Sequence, residues 1–533
     1  MPPVGVEPTH LAVPDFESGA STNSTTGATE ASKEEALRYE AEKPVSNPAC
    51  GGNAMTDENI AGEETGFGRS GRRVGLVLGP MIAIGLQLLP APDGLSPEAW
   101  RVVSLAALMV VWWVTEAIPI AATALIPLAA LPLLGAISMK DAAAPYADPI
   151  VFLFIGGFIL AACVERWRLH ERIALSIASI AGGRPVALVG GFMIASMLIS
   201  MWISNTATTL MLAPIAIGAA RAMSGGGKPD LALGGALTLG VAHASTIGGI
   251  GTPVGTPTNL IAMAFFERAG EPIAFIDWMT HAIPIMLLML PAAWLLLCWP
   301  LFGKGHTRFE AIAAIVKDAL KALGPMTRPE MRIGAVFALT ALGWMFRVQI
   351  AELPGLSALT DTGVAIAGAL LLFFIPSGRG RGEKLIDWRT AERIPWGIAI
   401  LFGGGLALAA GMESTGLAAW IGEWIGGLDG LSAFTLVALL VVTTILVSEL
   451  ASNVATLTSM LPVVAAVAAA TGTPLQQLAF PVALAASFAF MLPVATAPNA
   501  IAYSSGLVTL KRMLSVGFGL NIAAIELIMT FAT

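Results

Sequence analysis

The stretch WISNTAT, residues 202–208, returns as LASNVAT, residues 450–456. A second pair of related stretches follows, GTPTN at residues 255–259 and ATAPN at residues 495–499, with nearly the same offset along the chain. Polar groups with glycine and proline interrupt helices, so their presence inside apolar sequence indicates a function. Two copies at one repeat distance predict a single site built from two halves, an arrangement typical of secondary transporters.

The composition is that of a membrane protein. Hydrophobic residues make up 56% of the chain and charged residues 12%, whereas a soluble domain carries about a quarter charged residues. Several apolar runs reach the ~20 residues that a helix needs to cross the hydrocarbon core. We therefore expect an all-α polytopic membrane protein. The three cysteines match no metal or disulfide spacing, no catalytic motif indicates an enzyme, and no nucleic-acid partner is expected.

Residues 1–70 differ from the rest of the chain. They are rich in Ser, Thr, Glu, Gly and Pro, and such a segment is predicted to be disordered because it buries too little apolar surface. Residues 4–24 resemble a spurious peptide translated through a transfer-RNA gene. We therefore hypothesise that Met55 is the true start, which N-terminal mass spectrometry of the native protein would test.

Proline, glycine and charge divide the remainder into apolar segments. The segments 186–222 and 433–470 hold the repeated motifs 202–208 and 450–456 in their middle, and we expect each segment to be a re-entrant hairpin. The segments 231–266 and 478–504 hold the Gly/Pro-rich stretches and are predicted to be interrupted spans. The other predicted elements are spans at 74–89, 100–135 (divided in two near Glu116), 150–164, 283–301, 334–346, 362–375, 396–410 and 513–531, interfacial stretches at 165–183 and 412–430, and a helical patch at 309–323.

Basic residues predict the orientation, because loops rich in Lys and Arg preferentially face the cytoplasm. We expect the N-terminus to be cytoplasmic and the C-terminus to lie outside. The membrane-proximal basic groups are Arg72, Arg73, the connector 304–332, the connector 378–393, Lys511 and Arg512.

The residue types of the four motifs suit an anion bound together with cations. Asn205 and Asn453 each offer an amide oxygen for a cation and an NH2 group for a carboxylate. Unwinding at 251–259 and 492–499 frees backbone carbonyls for a small cation such as Na+. It also begins a half-helix, near Pro257 in the first copy, whose N-terminus favours an anion. None of the four motifs contains Lys or Arg. Neutral donors, helix ends and bound cations would therefore balance the charge of the bound anion. The alternative is helix packing through polar side chains and proline kinks.

Two acids and one histidine lie within the apolar segments. An intramembrane acid is a candidate functional residue by default. We favour a structural role for Glu116 and leave Glu449 open between structure and function, whereas His243 fits helix packing better than a proton relay. A cation/proton antiporter would require both acids and is the alternative from another class. A channel is less consistent with paired hairpin tips, which suit occlusion.

At these motifs the chain resembles the divalent anion/sodium symporter family, which includes the INDY-type dicarboxylate carriers. The resemblance rests on the paired Ser-Asn-Thr motifs, the Gly-Thr-Pro-x-Asn stretch and Thr-Glu-Ala-Ile-Pro at 115–119, and it covers residues 73–533. It implies about eleven transmembrane helices plus two re-entrant hairpins in an inverted repeat, and a homodimer whose scaffold carries moving transport units, an elevator. The corresponding regions are 1–70 (tail), 71–181 (scaffold, repeat 1), 182–303 (transport unit, repeat 1), 304–332 (cytoplasmic connector), 333–430 (scaffold, repeat 2) and 431–533 (transport unit, repeat 2).

The resemblance also implies the cargo and the residues that bind it. The expected function is Na+-coupled import of a C4-dicarboxylate such as succinate, malate or fumarate through a bacterial inner membrane, with two or more Na+ ions and surrounding lipid as partners. A sodium-independent dicarboxylate exchanger or a sulfate carrier of the same fold is the alternative. The implied sodium ligands are Ser204, Asn205 and Gly255 in one site and Ser448, Ala451, Asn453 and Ala495 in the other. The implied substrate contacts are Asn205, Thr206, Thr256, Pro257, Asn453, Val454, Thr496 and Ala497.

Two residues depart from the family pattern. Val454 stands where the second Ser-Asn-Thr motif has threonine, so one hydroxyl expected at the substrate is missing, and Ala497 stands where proline is usual. A hydrogen bond to a charged group is worth about 1.5–3 kcal/mol. We therefore expect altered or weakened anion recognition on that side.

Overall fold

The computed structural model describes residues 69–180, 184–223, 230–302, 310–380, 382–417, 420 and 432–531. Across these ranges the chain is helical, and its only β-type pairing is one isolated bridge between Pro376 and Lys384. They all lie in the compact unit Glu64–Thr533. The expected disordered tail and the proposed start at Met55 lie outside the described residues, except that Arg69 and Ser70 begin the first helix.

We number the described helices in chain order. The first half contains α1 (Arg69–Leu88), α2 (Pro97–Thr115), α3 (Ile120–Thr123), α4 (Ile126–Leu133), α5 (Met139–Ala143), α6 (Pro149–Arg166), α7 (Leu169–Ile180), α8 (Pro185–Ser200), α9 (Asn205–Met223), α10 (Leu231–Gly249), α11 (Pro257–Arg268) and α12 (Phe275–Cys298). Two 3-10 turns, Ala144–Ala147 and Trp299–Leu301, join α5 to α6 and extend α12.

The second half contains α13 (Glu310–Ala322), α14 (Arg328–Met345), α15 (Arg347–Ala351), α16 (Asp361–Phe374), α17 (Trp388–Ala391), α18 (Trp396–Ser414), α19 (Ala433–Ser448), α20 (Asn453–Thr471), α21 (Leu475–Ser487), α22 (Ala497–Ser504) and α23 (Leu510–Phe531). The helical patch predicted in the connector is therefore present as α13. Most of the second interfacial stretch, expected at 412–430, lies outside the described residues.

Seven segments of the described chain are long and apolar enough to cross a membrane: α2, α5–α6, α10, α12 with its 3-10 extension, α18, α20 and α23. Shorter apolar helices accompany them, namely α3–α4, α8, α16, α19 and α21. The prediction of a helical, multi-pass membrane protein is confirmed at this level. Helix α10 is the most buried of the seven spans, because 89% of its apolar segment is buried inside the protein. It therefore lies at the centre of the helix bundle.

The internal repeat is visible in the order of the helices. In the first half, α8 and α9 are joined at the motif 202–208, α10 and α11 are separated by the Gly/Pro-rich break, and the long helix α12 follows. Helices α19 to α23 repeat this order in the second half. In the first series α8 packs on α10, and in the second α19 packs on α21. The two closing helices, α12 and α23, pack against each other.

The predicted start of the span at 283–301 is wrong. The span expected to begin near Ile283 begins at Phe275. The carboxylate of Asp277 accepts a hydrogen bond from the backbone N–H of Ala274 (3.3 Å), which satisfies one of the free donors at the helix start. The helix then continues through Pro284 and Pro291, so the prolines do not mark its ends.

Candidate functional site

The repeated motifs at 202–208 and 450–456 lie at tight connections between helices, which we call the first and the second tip. Residues 201–204 join α8 to α9, which begins at Asn205, and residues 449–452 join α19 to α20, which begins at Asn453. Each tip asparagine is therefore the first residue of a helix, where backbone N–H groups lack partners within the helix. Both tips carry the partial positive charge of a helix N-terminus.

The two Gly/Pro-rich stretches break their spans at matching places. Helix α11 begins at Pro257, as predicted, after Thr256 at its N-cap with φ −144° and ψ 146°. Helix α22 begins at Ala497 after Thr496 at its N-cap with φ −143° and ψ 149°. The almost identical dihedral angles show that both breaks end in the same backbone conformation. They provide two further helix N-termini.

An asparagine holds the first break in shape. The Asn259 side-chain NH2 donates to the carbonyl oxygens of Gly249 (2.9 Å) and Thr252 (2.8 Å). The Thr252 hydroxyl donates in turn to the carbonyl of Met201 in the first tip. These bonds tie the unwound segment to the tip across the space between α8 and α10.

The second break repeats this arrangement around Asn499, whose NH2 donates to Ala489 O and Leu492 O, each at 3.0 Å. The amide oxygens of Asn259 and Asn499 are buried and have no hydrogen-bond partner among the described residues. Each break therefore presents one buried amide oxygen that can act as an acceptor or as a cation ligand.

The first tip is built from close contacts between small residues. Ser200 donates to Asn205 Oδ1 (2.7 Å), and Ser204 Oγ accepts from the N–H of Ala207 (3.2 Å). A Cβ on Gly249 would overlap the Asn205 amide, and a Cβ on Gly255 would lie 2.5 Å from Gly249 O. The two glycines allow the break to approach the tip closely enough for backbone and amide oxygens to share one small space.

The second tip is organised similarly. Asn453 donates to Ser487 O (3.2 Å), and Ser448 donates to Ala486 O (3.0 Å). The Asn453 amide oxygen is buried without a partner among the described residues. It is therefore available to a cation.

Packing brings the two halves together. Helix α9, which starts at the first tip, packs against α22 of the second break, and α20, which starts at the second tip, packs against α11 of the first break. Thr258 and Ser487 join the halves directly through a hydroxyl–hydroxyl hydrogen bond of 2.6 Å. The helix that follows each tip thus packs against the half-helix of the other repeat, as a site made of two halves requires.

The predicted site residues fall into two burial classes. The candidate sodium ligands Gly255, Ser448, Ala451 and Ala495 are buried, and so is Thr256. The others are half-buried, which leaves them accessible to a guest: Ser204, Asn205, Thr206, Pro257, Asn453, Val454, Thr496 and Ala497. Val454 packs partly against the apolar cluster formed by α2, α4 and α18.

The structure gives the two acids structural partners. Glu116 ends α2 with a left-handed backbone (φ 48°) and pairs with Arg72 at 3.4 Å. Glu449 accepts hydrogen bonds from several backbone N–H groups of the second break, at 2.8–3.2 Å. His243 is fully buried, with its ring centroid 5.2 Å from that of Phe490. These contacts favour structural roles for all three.

Sequence reasoning missed several residues of the site. Ser200 contacts the tip asparagine, and Asn259 and Asn499 close the breaks. The last two were visible in the repeated stretches, and their matching positions were the signal. Ser200 and Ser487 carried no signal because each lies in ordinary apolar helix.

Comparison with known proteins identifies the family. The family described as "Sodium:sulfate symporter transmembrane region" matches residues 71–533. The chain is 37% identical to the sodium-dependent dicarboxylate transporter SdcS of Staphylococcus saprophyticus over 86% of this chain and 90% of the relative. The SdcS of Staphylococcus aureus strain NCTC 8325 is also 37% identical, with the same coverage of both chains.

A solved structure of Neisseria gonorrhoeae MtrF, described with a class of antimetabolite efflux pumps, overlaps 86% of this chain and 97% of its own at 14% identity and a TM-score of 0.48. The relatives are transporters, not enzymes. The match along the whole membrane region and the identity to these relatives establish that the chain belongs to the sodium:sulfate symporter family, the divalent anion/sodium symporters.

Proposed function

We propose that this chain is a sodium-coupled secondary carrier that imports a C4-dicarboxylate such as succinate, malate or fumarate. The observation that carries the proposal is the meeting of two matching half-sites, each with a tip helix, a broken helix and at least one buried amide oxygen without a partner among the described residues. The relatives named sodium-dependent dicarboxylate transporters support the choice of ion and substrate.

Two sodium ions occupy the sites between tips and breaks. The first site uses Ser204, Asn205 and the Gly255 carbonyl, to which we add Ser200. The second site uses Ser448, Ala451, Asn453 and Ala495. Oxygen ligands from carbonyls, amides and hydroxyls suit a hard monovalent cation. The unpartnered oxygen of Asn453 supports this assignment.

The substrate carboxylates bind between the two tips. We place the N-termini of α9, α11, α20 and α22 around this space, and each favours negative charge. The side-chain donors are Asn205, Thr206, Thr256, Asn453 and Thr496, beside Pro257, Val454 and Ala497. Because the motifs contain no basic residue, the anion binds well only when the cations are present, which couples the two fluxes.

The antiporter alternative loses support from the acids it would need. Glu116 is paired with Arg72, and both oxygens of Glu449 accept hydrogen bonds. Both carboxyl groups therefore have structural partners in this conformation. The structure therefore favours an anion carrier over proton exchange.

The proposed topology has eleven spans and two re-entrant hairpins. The hairpins are α8–α9 and α19–α20, and the spans are α1, α2, α3–α4, α5–α6, α10–α11, α12, α14, α16, α18, α21–α22 and α23. Arg512, at the start of α23, donates to Leu231 O (2.7 Å) and Ala232 O (2.8 Å) at the start of α10 and to Leu297 O (3.0 Å) at the end of α12. These contacts support the placement of all three helix ends on the same side of the membrane. With basic loops cytoplasmic, the N-terminus lies inside a bacterial inner membrane. We propose a homodimer on the family resemblance.

The conformation described here supports an inward-facing state. A cavity of about 400 Å³ is lined by Ser204 and Ala207 of the first tip and by Arg166, Thr390 and Arg393 at its other end. Thr390 and Arg393 lie at the basic connector that we assign to the cytoplasm. The first tip is thus open to that side.

Glycine pairs on two scaffold helices support an elevator movement. Gly156 on α6 and Gly404 on α18 occupy matching repeat positions and touch the backbone of other scaffold elements. A Cβ on Gly156 would lie 2.8 Å from the Ala365 backbone, and a Cβ on Gly404 would overlap the backbone of Ala124. Gly156 and Gly404 therefore allow close packing between the helices of the scaffold.

The next residue of each pair faces the transport unit instead. A Cβ on Gly157 would lie 3.0 Å from Val254 of the first break, and a Cβ on Gly405 would lie 2.6 Å from the Thr458 side chain on α20. Because Gly157 and Gly405 occupy matching repeat positions, we propose that they form a smooth surface on α6 and α18 across which the transport unit moves.

Gly405→Ala is expected to slow transport about tenfold while the KM for substrate and the sodium dependence stay within about twofold, since overpacking costs about 1–3 kcal/mol and the site is untouched. Initial uptake rates over a range of substrate concentrations measure this. Gly85→Ala is the control, because a Cβ there meets nothing within 4 Å. A wild-type maximal rate in Gly405→Ala would remove this face from the mechanism.

Val454→Thr is expected to change the affinity ranking of succinate, malate, fumarate and sulfate, with the preferred anion bound about tenfold more tightly. The new hydroxyl restores a donor whose bond to a charged group is worth about 1.5–3 kcal/mol. Competition against labelled succinate uptake measures the ranking. If the ranking does not change, position 454 is outside the substrate site.

Uptake of labelled succinate by purified protein in proteoliposomes tests the proposed function. Uptake driven by an inward sodium gradient and sensitive to membrane voltage is expected. Uptake only against internal dicarboxylate would indicate an exchanger instead. Uptake of labelled sulfate without uptake of succinate would indicate a sulfate carrier, and uptake of neither anion would exclude the proposal.

A further inference from the structure

An arginine at the end of α11 joins the proposed transport unit to the proposed scaffold. The Arg268 guanidinium donates through Nε to Asp148 Oδ2 (3.4 Å), with which it forms an ion pair, and through Nη1 to the carbonyl of Leu406 (3.0 Å). Asp148 directly precedes α6 and Leu406 lies in α18, both of which we assign to the scaffold, whereas α11 belongs to the transport unit. One side chain therefore connects the two units.

The partner of Arg268 is held in place by the start of its own helix. Asp148 is the N-cap of α6, where its Oδ1 accepts from the N–H of Ile150 (3.1 Å) while its Oδ2 accepts from Arg268. The Asp148 side chain is 9% exposed and that of Arg268 is 28% exposed. Solvent therefore screens this pair less than a pair at the surface. If Arg268 moved away, a largely buried carboxylate would remain without its cationic partner, which is unfavourable.

The ion pair lies at the end of α6 that is opposite to the basic connector. Helix α6 begins directly after Asp148 and ends at Arg166, which pairs with Asp387 (2.6 Å) in the connector 378–393. Since we assign that connector to the cytoplasm, Asp148 and Arg268 lie on the outer side. The cavity that opens the first tip to the cytoplasm lies on the other side. Arg268 thus joins the units on the outer side in a conformation that is open inside.

Apolar packing beside Arg268 is incomplete. A cavity of about 450 Å³ is lined there by side chains of α11, α18 and α20, among them Phe265 and Ala409. A second polar contact joins the units nearby in the chain, because the N–H of Phe275 at the start of α12 donates to Asp361 Oδ2 (3.1 Å) at the start of α16. Where apolar side chains leave space unfilled, they contribute less attraction. The polar contacts therefore supply a larger share of the outer contact between the units.

The second repeat has no counterpart of this ion pair. At the offset between the two glycine pairs, Trp396 corresponds to Asp148, and at the offset between the two breaks, Val508 corresponds to Arg268. Neither tryptophan nor valine carries a charge. In an inverted repeat, the contacts of the second copy in the outward-facing state mirror those of the first copy in the inward-facing state. The inward-facing state therefore has an ion pair for which the outward-facing state has no equivalent.

We propose that Arg268 is a positioning residue for transport, which holds the carrier without cargo in the inward-facing state through its contacts with the scaffold. This role rests on the proposed function, because it concerns the elevator movement of the same transport unit. Arg268 ends α11, whereas the proposed substrate site lies at the start of that helix, at Pro257. The two ends are about 16 Å apart at 1.5 Å per residue. Arg268 therefore acts on the equilibrium between the two states and does not contact the bound anion.

Thiol labelling from outside measures the population of the outward-facing state. Thr458 on α20 is 6% exposed and packs against the scaffold at Gly405, so outward movement of the transport unit would uncover it. Thr458→Cys, in full-length protein whose three native cysteines are replaced by alanine, is treated with a membrane-impermeant thiol reagent in right-side-out vesicles without sodium or dicarboxylate. Adding Arg268→Gln is expected to raise the labelling rate roughly three- to tenfold, because a bond to a charged group is lost in one state only.

Uptake should report the same shift. In Arg268→Gln the KM for external succinate is expected to fall by up to the same factor, since a larger fraction of the carrier can bind from outside. Arg268→Lys keeps the charge and should lie closer to wild type. Asp148→Asn keeps an oxygen for the helix cap but removes the ion pair, so it should reproduce the shift. Combining Asp148→Asn with Arg268→Gln should add little, because the two residues act as one pair.

Arg221→Gln is the matched control. Arg221 lies exposed near the end of α9, so this variant loses the same charge from the transport unit and is expected to keep wild-type labelling and uptake. If either Arg268→Gln or Asp148→Asn does not fold, the other variant decides, since both remove the same ion pair.

The outcomes separate this role from the function on which it rests. Wild-type protein that takes up no dicarboxylate with sodium would contradict the proposed function, whereas labelling reports the movement without any uptake. Sodium-driven wild-type uptake with unchanged labelling in the variants would overturn the role of Arg268 alone. A lower Tm at unchanged labelling would also overturn it, since that pattern indicates a purely structural ion pair. A cysteine at position 458 that is labelled under no condition would overturn the elevator movement and this role together.

Discussion

Replacing Asn205 or Asn453 with alanine is expected to reduce sodium-driven uptake at least about 100-fold, while the protein still folds. Each side chain would contribute an amide oxygen to a cation and an NH2 group to the anion, and each charge-assisted hydrogen bond is worth about 1.5–3 kcal/mol. The alanine variants lose the cation contact and the anion contact together, so the expected drop in uptake is larger than for the loss of either contact alone. Initial uptake rates in proteoliposomes measure the loss.

Folding and function must be separated in these variants. Each asparagine makes few protein contacts: Asn205 accepts from Ser200, and Asn453 donates to Ser487 O. Tm and elution volume should therefore stay close to wild type. Gln477→Ala, which removes an exposed amide at the start of α21, is the control and should transport normally. Wild-type uptake by either asparagine variant would remove that residue from the site.

Gly249→Ala is expected to reduce uptake by about ten- to 100-fold, although the substitution adds one methyl group. The new Cβ would overlap the Asn205 amide, and overpacking of a close-packed interior costs about 1–3 kcal/mol. The amide would have to leave the position in which it accepts from Ser200. Sodium affinity should fall with it, which the sodium dependence of succinate uptake measures.

Gly218→Ala is the matched control for this prediction. Gly218 lies within α9, the helix that begins at Asn205, and a Cβ there meets nothing within 4 Å. Alanine is favoured over glycine inside a helix by about 0.5–1 kcal/mol, so this variant should be slightly more stable and fully active. If both glycine variants transport equally, the close approach of α10 to the first tip has no role in transport.

Local sequence rules predicted the breaks well. Proline after a polar N-cap placed the start of α11 at Pro257, and the amphipathic patch in the connector became α13. The same rules misjudged the start of α12, because its prolines lie inside a helix that begins after Ala274, whose backbone N–H donates to the Asp277 carboxylate. Boundaries that depend on a single side chain are visible in sequence only when the cap has a typical pattern.

The partners of Glu449 could not be predicted. Its sequence position suggested equally an ion-coupling acid and a structural one. The structure supplies its partners from residues 490–492 and from Asn521, far away in sequence. Which donors reach a carboxylate depends on how α19, α21 and α23 pack, and nothing in the local sequence encodes that packing.

The amino-acid sequence by itself determined the membrane class, the repeat, the positions of the tips and breaks, and the absence of basic groups from the motifs. These follow from hydrophobicity, helix-breaking residues and charge, which act over a few neighbouring positions. Only the tertiary structure decided that the helix following each tip packs against the half-helix of the other repeat, that Asn259 and Asn499 close the two breaks, and that the carboxylate of Glu449 contacts the second break. Those features arise from contacts between residues far apart in the chain, where geometry depends on how helices pack.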